Sequence, residues 1–238
     1  MRTLANLQAA WAMALAGALG WGLHAGHGSA PAVTGRMISS LLLVAAAALA
    51  WHFSRSRLMG WVLAGIAFGA LGDFANAGLL GPASGTLAAM GAFGLGHLCY
   101  VAGILGVLRR QRPAMVPTMT GVGVWLAAGV LGWYVVVWQA PPSSLDGLVW
   151  PALGYTLLLS ATAGFATALA LALWSFRLLA VGAALFLLSD LILAVRLFRG
   201  AFPWDTLAVW VPYGVGQMLI VFTAVRATVP PLDLRKPA

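Results

Sequence analysis

Two aspartates stand inside long apolar stretches of the sequence, where few ionisable side chains occur. Asp73 lies in the segment GIAFGALGDFAN, and Asp190 lies in the segment GAALFLLSDLILAVRLF. An aspartate at the centre of a membrane helix costs about 2.5–3.5 kcal/mol on insertion scales, so such a residue indicates a functional site. Two carboxyls in unlike surroundings can divide the roles of proton donor and charge stabiliser, as they do in glycoside hydrolysis.

Further polar side chains fall near the depth of the two acids. His97 and Tyr100 share one face of a helix, and Tyr213 and Gln217 share a face of another. At 1.5 Å per residue, both aspartates, the histidine and the glutamine lie roughly 16–23 Å from one membrane face. Because these groups cannot face lipid, we expect a shared cavity in which the neutral polar groups hold water and orient the carboxyls.

The composition predicts an all-α membrane protein. Hydrophobic residues make up 62% of the 238-residue chain and charged residues 8%, against about 25% charged residues in soluble domains. Eight apolar runs of about the length that spans a bilayer lie roughly at 4–23, 37–53, 58–80, 84–108, 114–138, 148–173, 178–199 and 205–228. We therefore predict one transmembrane bundle domain over residues 1–238, with eight helices and no separate soluble domain.

The first run is followed by His-Gly-Ser-Ala-Pro-Ala at 27–32, which is similar to a signal-peptide cleavage region. A signal peptide has an apolar region of about 7–15 residues, and this run is longer. We therefore interpret it as a membrane span.

The net charge of +8 reflects membrane topology and does not indicate nucleic-acid binding. With eight spans, one side of the membrane receives Arg2, Arg55, Arg57, Arg109, Arg110, Arg112, Arg177, Arg226, Arg235 and Lys236. The other side receives Arg36 and Arg199, with Arg196 inside the span nearby. Because cytoplasmic loops carry excess Lys and Arg, both termini are expected in the cytoplasm and the protein in the bacterial cytoplasmic membrane.

Metal-binding patterns are weak in this sequence. His24 and His27 stand three residues apart without a third ligand, and a solvated loop is the better interpretation. Cys99 is the only cysteine, so a cysteine-based metal site within the chain is excluded. We expect no cofactor.

The two acid-bearing stretches are similar to each other. Gly65 precedes Asp73 by eight positions, and Gly182 precedes Asp190 by the same interval, 117 residues later. This spacing predicts that spans one to four and spans five to eight form two parallel repeats.

Four short motifs occur in a fixed order between about residues 60 and 225. They are Gly72-Asp73, Phe93-xxx-His97-xx-Tyr100, Gly182-xxx-Phe186-xx-Ser189-Asp190 and Tyr213-xxx-Gln217-x-Leu219. Together, on eight spans, they resemble the YhhN-like membrane family, the lysoplasmalogenases.

The resemblance implies an enzyme that hydrolyses the vinyl-ether bond of lysoplasmalogen, a lysophospholipid of the membrane, without a known cofactor. The products are a fatty aldehyde and a glycerophospho-head group. It assigns catalysis to Asp73 and Asp190. Supporting or substrate-binding positions are Asn76, Phe93, His97, Tyr100, Phe186, Ser189, Tyr213 and Gln217. Asn76 departs from the family pattern, in which this position is usually apolar.

The residues also suit this chemistry without the resemblance. Vinyl-ether hydrolysis begins with protonation of carbon, after which water attacks the resulting oxocarbenium ion. Two buried carboxyls can provide a proton donor and a stabilising negative charge, although the sequence does not assign which aspartate is the donor.

The main alternatives are a proton-coupled transporter and a protein that binds lysolipid without turnover. No predicted span is interrupted by proline at mid-depth, which weakens the transporter interpretation. A haem or metal protein has little support, because His97 is the only histidine expected to be buried.

Overall fold

The chain folds into helices and the turns between them. The structure, a computed structural model, describes residues 2–111 and 113–228. Its long helices are α1 (Arg2–Ala25), α2 (Ala30–Ser54), α3 (Arg57–Asn76), α4 (Thr86–Gln111), α5 (Met115–Trp133), α6 (Val149–Ala172), α7 (Arg177–Arg199) and α8 (Asp205–Thr228). The described ranges contain no strand, so the prediction of an all-helical chain is confirmed.

Seven helices in the described residues, α2 to α8, are long and apolar enough to cross a membrane. The helix α1 is not among them, and it carries Asn6 and Gln8 near its start. Spanning a bilayer takes about 20 predominantly apolar residues. The chain is therefore an integral membrane protein.

The second helix begins before the predicted start at residue 37. Ser29 occupies the N-cap position with an extended backbone, and proline follows in the first helical turn. Proline is favoured there because its missing N–H would be unpaired in any case. Arg36, which the sequence analysis placed in a loop, therefore belongs to α2 and is buried.

The third helix ends at Asn76, before the predicted end at residue 80. Gly78 has a φ of 76°, in the left-handed region that glycine adopts without strain. The Leu79 N–H then donates to the Phe74 carbonyl at 3.0 Å, as in a Schellman motif. As a result, Asp73 lies in the last turn of α3.

Apart from α4 and α5, helices that follow each other in the chain pack as antiparallel neighbours, with the closest packing between α3 and α4 and between α7 and α8. Glycine residues allow the two helices of each pair to pack with their backbones close together. A Cβ on Gly96 would lie 2.8 Å from the Gly65 carbonyl oxygen, and a Cβ on Gly216 would lie 2.7 Å from the Gly182 carbonyl oxygen. Contacts of α4 with α6 and of α3 with α8 join the hairpins, whereas α5 and α7 hardly touch.

The end of α5 continues into a π-helical turn, Tyr134–Trp138. Arg199 at the end of α7 donates from Nε to the Val136 carbonyl at 3.1 Å and from Nη2 to the Val135 carbonyl. A π-helical turn is rarely stable alone. These bonds therefore stabilise the turn and connect α7 to α5.

We expect Arg199→Gln to lower the free energy of unfolding by about 1–2 kcal/mol, because hydrogen bonds from a charged donor to two carbonyls are lost. Denaturation in detergent checks this. Arg109→Gln, an exposed position at the end of α4, serves as the control. Equal stability of the two variants would contradict the assigned role of Arg199.

Candidate active site

Asp73 is the centre of a hydrogen-bond network that joins α2, α3 and α8. Ser40 donates to Asp73 Oδ2 at 2.5 Å, and the Tyr213 hydroxyl donates to the same oxygen at 2.8 Å. The aspartate is 4% exposed. The two donors hold the Asp73 carboxyl in one orientation.

The network continues away from Asp73 through two further predicted residues. Gln217 Nε2 donates to the Tyr213 hydroxyl at 2.7 Å, and the Tyr100 hydroxyl donates to Gln217 Oε1 at 3.1 Å. A Cβ on Gly69 would lie 2.9 Å from Gln217 Nε2, so glycine leaves room for the amide. Tyr100, Gln217 and Tyr213 therefore fix the orientation of the Asp73 carboxyl in series.

Asp190 has a different environment. Its Oδ2 accepts a hydrogen bond from the Tyr155 hydroxyl, and Oδ1 has no protein donor within the described residues. Although Asp190 lies deep in the bundle, it is half-buried because it lines a cavity of about 490 Å³. This carboxyl therefore presents one oxygen to an apolar space.

The cavity lies between α4, α5, α6 and α7, and its lining is almost wholly apolar. Along α7 it extends from Val181 to Phe198, about 25 Å at 1.5 Å per residue. Val181 and Leu188 line the cavity and are each 47% exposed, and the flanking helices α5 and α7 hardly touch. The cavity therefore opens sideways between α5 and α7, toward lipid.

The two carboxyls lie within electrostatic reach of each other, but Asp73 is not part of the cavity lining. Phe93 lines the cavity and packs edge-on against Tyr213 at 6.0 Å and Phe186 at 6.2 Å between ring centroids. These rings form a wall between the cavity and the Asp73 network. Asp190 reaches the cavity directly, whereas Asp73 lies outside the cavity lining.

His97 is fully buried beside this wall, with its ring centroid 4.5 Å from that of Phe186. Its Nδ1 lies 3.0 Å from the Thr162 hydroxyl, which itself donates to the Leu158 carbonyl at 2.9 Å. Since that hydroxyl has one proton, Nδ1 carries the imidazole proton. The lone pair on Nε2 has no partner in the described part of the protein.

Two predicted site residues make no hydrogen bond to the acids in the described part of the chain. Asn76 is exposed and lines the cavity. Ser189 donates to the Val209 carbonyl at 2.9 Å and makes no hydrogen bond to either carboxyl within the described ranges. Pro212 is inside α8 and lacks a backbone N–H, so this part of the helix has one donor fewer. The Ser189 hydrogen bond connects α7 to the same turn of α8.

The sequence analysis missed three residues that contact the predicted ones, namely Ser40, Tyr155 and Thr162. Ser40 and Arg36 are four residues apart in an apolar helix, a signal that was hidden when the span was started at residue 37. Tyr155 was identifiable as a phenol inside a span. In the described residues, no three His, Cys, Asp or Glu side chains are placed to hold a metal ion.

Comparison with known proteins shows the family of the chain. The YhhN family profile matches residues 33–224. Two relatives named lysoplasmalogenase, from Mycobacterium bovis and Mycobacterium tuberculosis, are each 30% identical over 186 residues, covering 76% of this chain and 66% of the relative. No solved structure matches. The predicted family resemblance is confirmed, and the chain belongs to the YhhN family.

Proposed function

We propose that the protein is a lysoplasmalogenase-like hydrolase that cleaves the vinyl-ether bond of a lysophospholipid inside the membrane. The products would be a fatty aldehyde and the glycerophospho-head group. The observation that carries the proposal is the unlike placement of two carboxyls, one on an apolar cavity and one in a polar network behind it. The names of the two relatives support the same reaction.

Asp190 is the proton donor in this proposal. Its Oδ2 is occupied by Tyr155, so Oδ1 carries the proton that is transferred to the vinyl carbon. The carbon–carbon double bond becomes a single bond, and the positive charge is shared with the ether oxygen. Water then attacks the carbon bonded to that oxygen, and its proton returns to Asp190. The resulting hemiacetal separates into aldehyde and alcohol.

Asp73 provides the negative charge that stabilises the cation. Ser40 and Tyr213 hold its carboxylate, and the Arg36 guanidinium also acts on it electrostatically. A fixed charge in a low-dielectric interior stabilises a developing opposite charge more strongly than it would in water. His97 Nε2, a buried acceptor, is placed to hold a water molecule near the same wall.

Product analysis tests the proposal. The purified protein in detergent should release fatty aldehyde from a 1-alkenyl lysophospholipid. It should not cleave the 1-alkyl analogue, which cannot form the same cation by protonation, or the 1-acyl analogue. Absence of aldehyde with retained lysolipid binding would favour the binding protein without turnover. Release of fatty acid from the acyl substrate would indicate an esterase.

The cavity is proposed to hold the hydrocarbon tail. Asp190 lies nine residues from Val181, so the tail occupies about 13 Å of the cavity on that side. Ala184 lines this part. We expect Ala184→Leu to shorten the usable cavity and to lower kcat/KM about tenfold for a C18 alkenyl chain, with little effect on a C6 chain, which ends before this position. An equal loss for both chain lengths would contradict the assignment of the tail to this part.

The proposed topology has eight spans, with both termini in the cytoplasm. Although α1 is less apolar than the others, its 24 residues are long enough to cross a bilayer. Among the described residues, the end of the bundle where α1 begins and α8 ends carries Arg2, Arg55, Arg57, Arg109, Arg110, Arg177 and Arg226. Arg112, Arg235 and Lys236 lie outside the described residues. The opposite end carries Arg36, Arg196 and Arg199. This asymmetry supports the orientation, with anionic lipid expected beside the basic end.

We also propose that α1–α4 and α5–α8 are two parallel repeats. Each half has a glycine crossing between its third and fourth helices, at Gly65 and Gly96 in one and at Gly182 and Gly216 in the other. In each half the aspartate follows the first of these glycines by eight residues. The corresponding positions of the crossings support a common origin for the two acids.

A further inference from the structure

Arg36 is a buried cation whose hydrogen-bond donors are only partly used. The residue is 8% exposed. Its Nη2 donates to the His27 carbonyl at 2.9 Å, whereas Nε and Nη1 are buried without a hydrogen-bond partner in the part of the chain that the structure describes. A buried guanidinium with unpaired N–H groups is strongly unfavourable. These groups require an acceptor that the described residues do not provide.

The surroundings of Arg36 hold it in place without a direct ion pair. Its guanidinium lies over the Trp210 ring, 5.2 Å from the centroid. The nearby Arg196 forms an ion pair with Asp205 at 3.3 Å, so that carboxylate is already used. Burial, together with the charge of Arg36, lowers the pKa of His27, which keeps this imidazole neutral. No carboxylate therefore forms a direct ion pair with Arg36 in the described residues, although Asp73 attracts it from a distance.

Arg36 lies about one helical turn from the serine that binds Asp73. Arg36 precedes Ser40, the donor to Asp73, by four residues, about 6 Å along the helix axis. It lies toward the end of the bundle where α2 and α8 begin. In a lysoplasmalogen, the three glycerol carbons separate the vinyl-ether oxygen from the phosphate by a comparable length. A phosphate near Arg36 would thus place the ether bond near the level of Ser40 and Asp73.

We propose that Arg36 binds the phosphate of the lysophospholipid head group and so sets the position of the ether bond. The planar guanidinium presents N–H groups in a fork that matches two oxygens of a phosphodiester. A head group entering from this end would provide the acceptors that Nε and Nη1 lack. The inference rests on the proposed function for the identity of the lipid, and it adds how the head group is recognised.

A binding experiment without turnover tests this role. The probes are a 1-alkyl lysophospholipid and a 1-alkylglycerol of the same chain length, titrated against the full chain in detergent by tryptophan fluorescence. The unmodified protein should bind the lysophospholipid about tenfold or more tightly than the alkylglycerol. Arg36→Gln should remove this preference, and Arg36→Lys should keep part of it. Arg110→Gln, at an exposed position of the opposite end, should keep all of it.

An unchanged preference in Arg36→Gln overturns the proposal, as does the absence of any preference in the unmodified protein. If Arg36→Gln does not fold, an unchanged preference in Arg36→Lys overturns it equally. Inorganic phosphate alone is the third probe. Competition by inorganic phosphate at the concentration at which the lysophospholipid binds would indicate a free-phosphate site instead. Because no bond is cleaved in this assay, a failure to release aldehyde from the alkenyl lipid would refute the proposed function separately.

Discussion

Asp190→Asn is expected to lower vinyl-ether hydrolysis by about 10³-fold or more while leaving the protein folded. Asparagine has the shape of aspartate and can still accept the hydrogen bond from Tyr155, but it has no acidic proton for the vinyl carbon. The loss should therefore be in kcat, with little change in KM. Aldehyde release from an alkenyl lysophospholipid, measured beside thermal unfolding in detergent, gives both quantities.

Asparagine substitutions at two other aspartates serve as comparisons for this prediction. Asp146 is exposed in the connection before α6, so Asp146→Asn should keep full activity. Asp73→Asn should cost less than Asp190→Asn, about 10–100-fold, because Asp73 acts electrostatically from behind the aromatic wall. Full activity in Asp190→Asn would refute the assignment of the proton donor. A larger loss of activity in Asp73→Asn than in Asp190→Asn would indicate that Asp73 is the proton donor and that Asp190 stabilises the cation.

Gly182→Val is expected to be the most damaging single substitution for the fold. A Cβ at this position would lie 2.7 Å from the Gly216 carbonyl oxygen and 3.0 Å from the Leu219 Cβ. Because the nearest obstacle is backbone, α7 and α8 must separate, which costs about 1–3 kcal/mol or more. Asp190 lies on α7 two turns further along and would move with it. We expect a lower Tm and a loss of activity together.

Gly123→Val provides the matched control. Gly123 is also helical, but it is exposed and a Cβ there would meet no atom within 4 Å. The same substitution should therefore change Tm by no more than about 2 °C. Similar unfolding temperatures for Gly182→Val and the unmodified protein would show that the α7–α8 crossing does not depend on glycine.

The helical architecture and the burial of the acids could be predicted because both follow from local sequence. Apolar runs define helices, and an aspartate inside such a run must lie away from lipid. The contacts of Asp73 could not be predicted, because Ser40 and Tyr213 come from helices 33 and 140 residues away. Their convergence depends on how α2, α3 and α8 pack.

The position of Asp73 shows a second limit. The predicted span ran on to residue 80, but Gly78 follows the end of α3 at Asn76, so Asp73 lies in the last helical turn and not inside a longer helix. The aromatic wall was likewise invisible in the sequence. Phe93 and Phe186 were predicted near the site, yet only the rotation of their helices decides that their rings pack edge-on beside the cavity.

The lateral opening of the cavity between α5 and α7 determines how the protein would meet its substrate. A lysolipid would diffuse in the plane of the bilayer and enter from the side, so it need not pass through water. The quantity that governs the rate is then the mole fraction of substrate in the bilayer or micelle, and its bulk concentration has little meaning. Adding inert detergent at constant total substrate should slow the reaction by simple dilution of the surface.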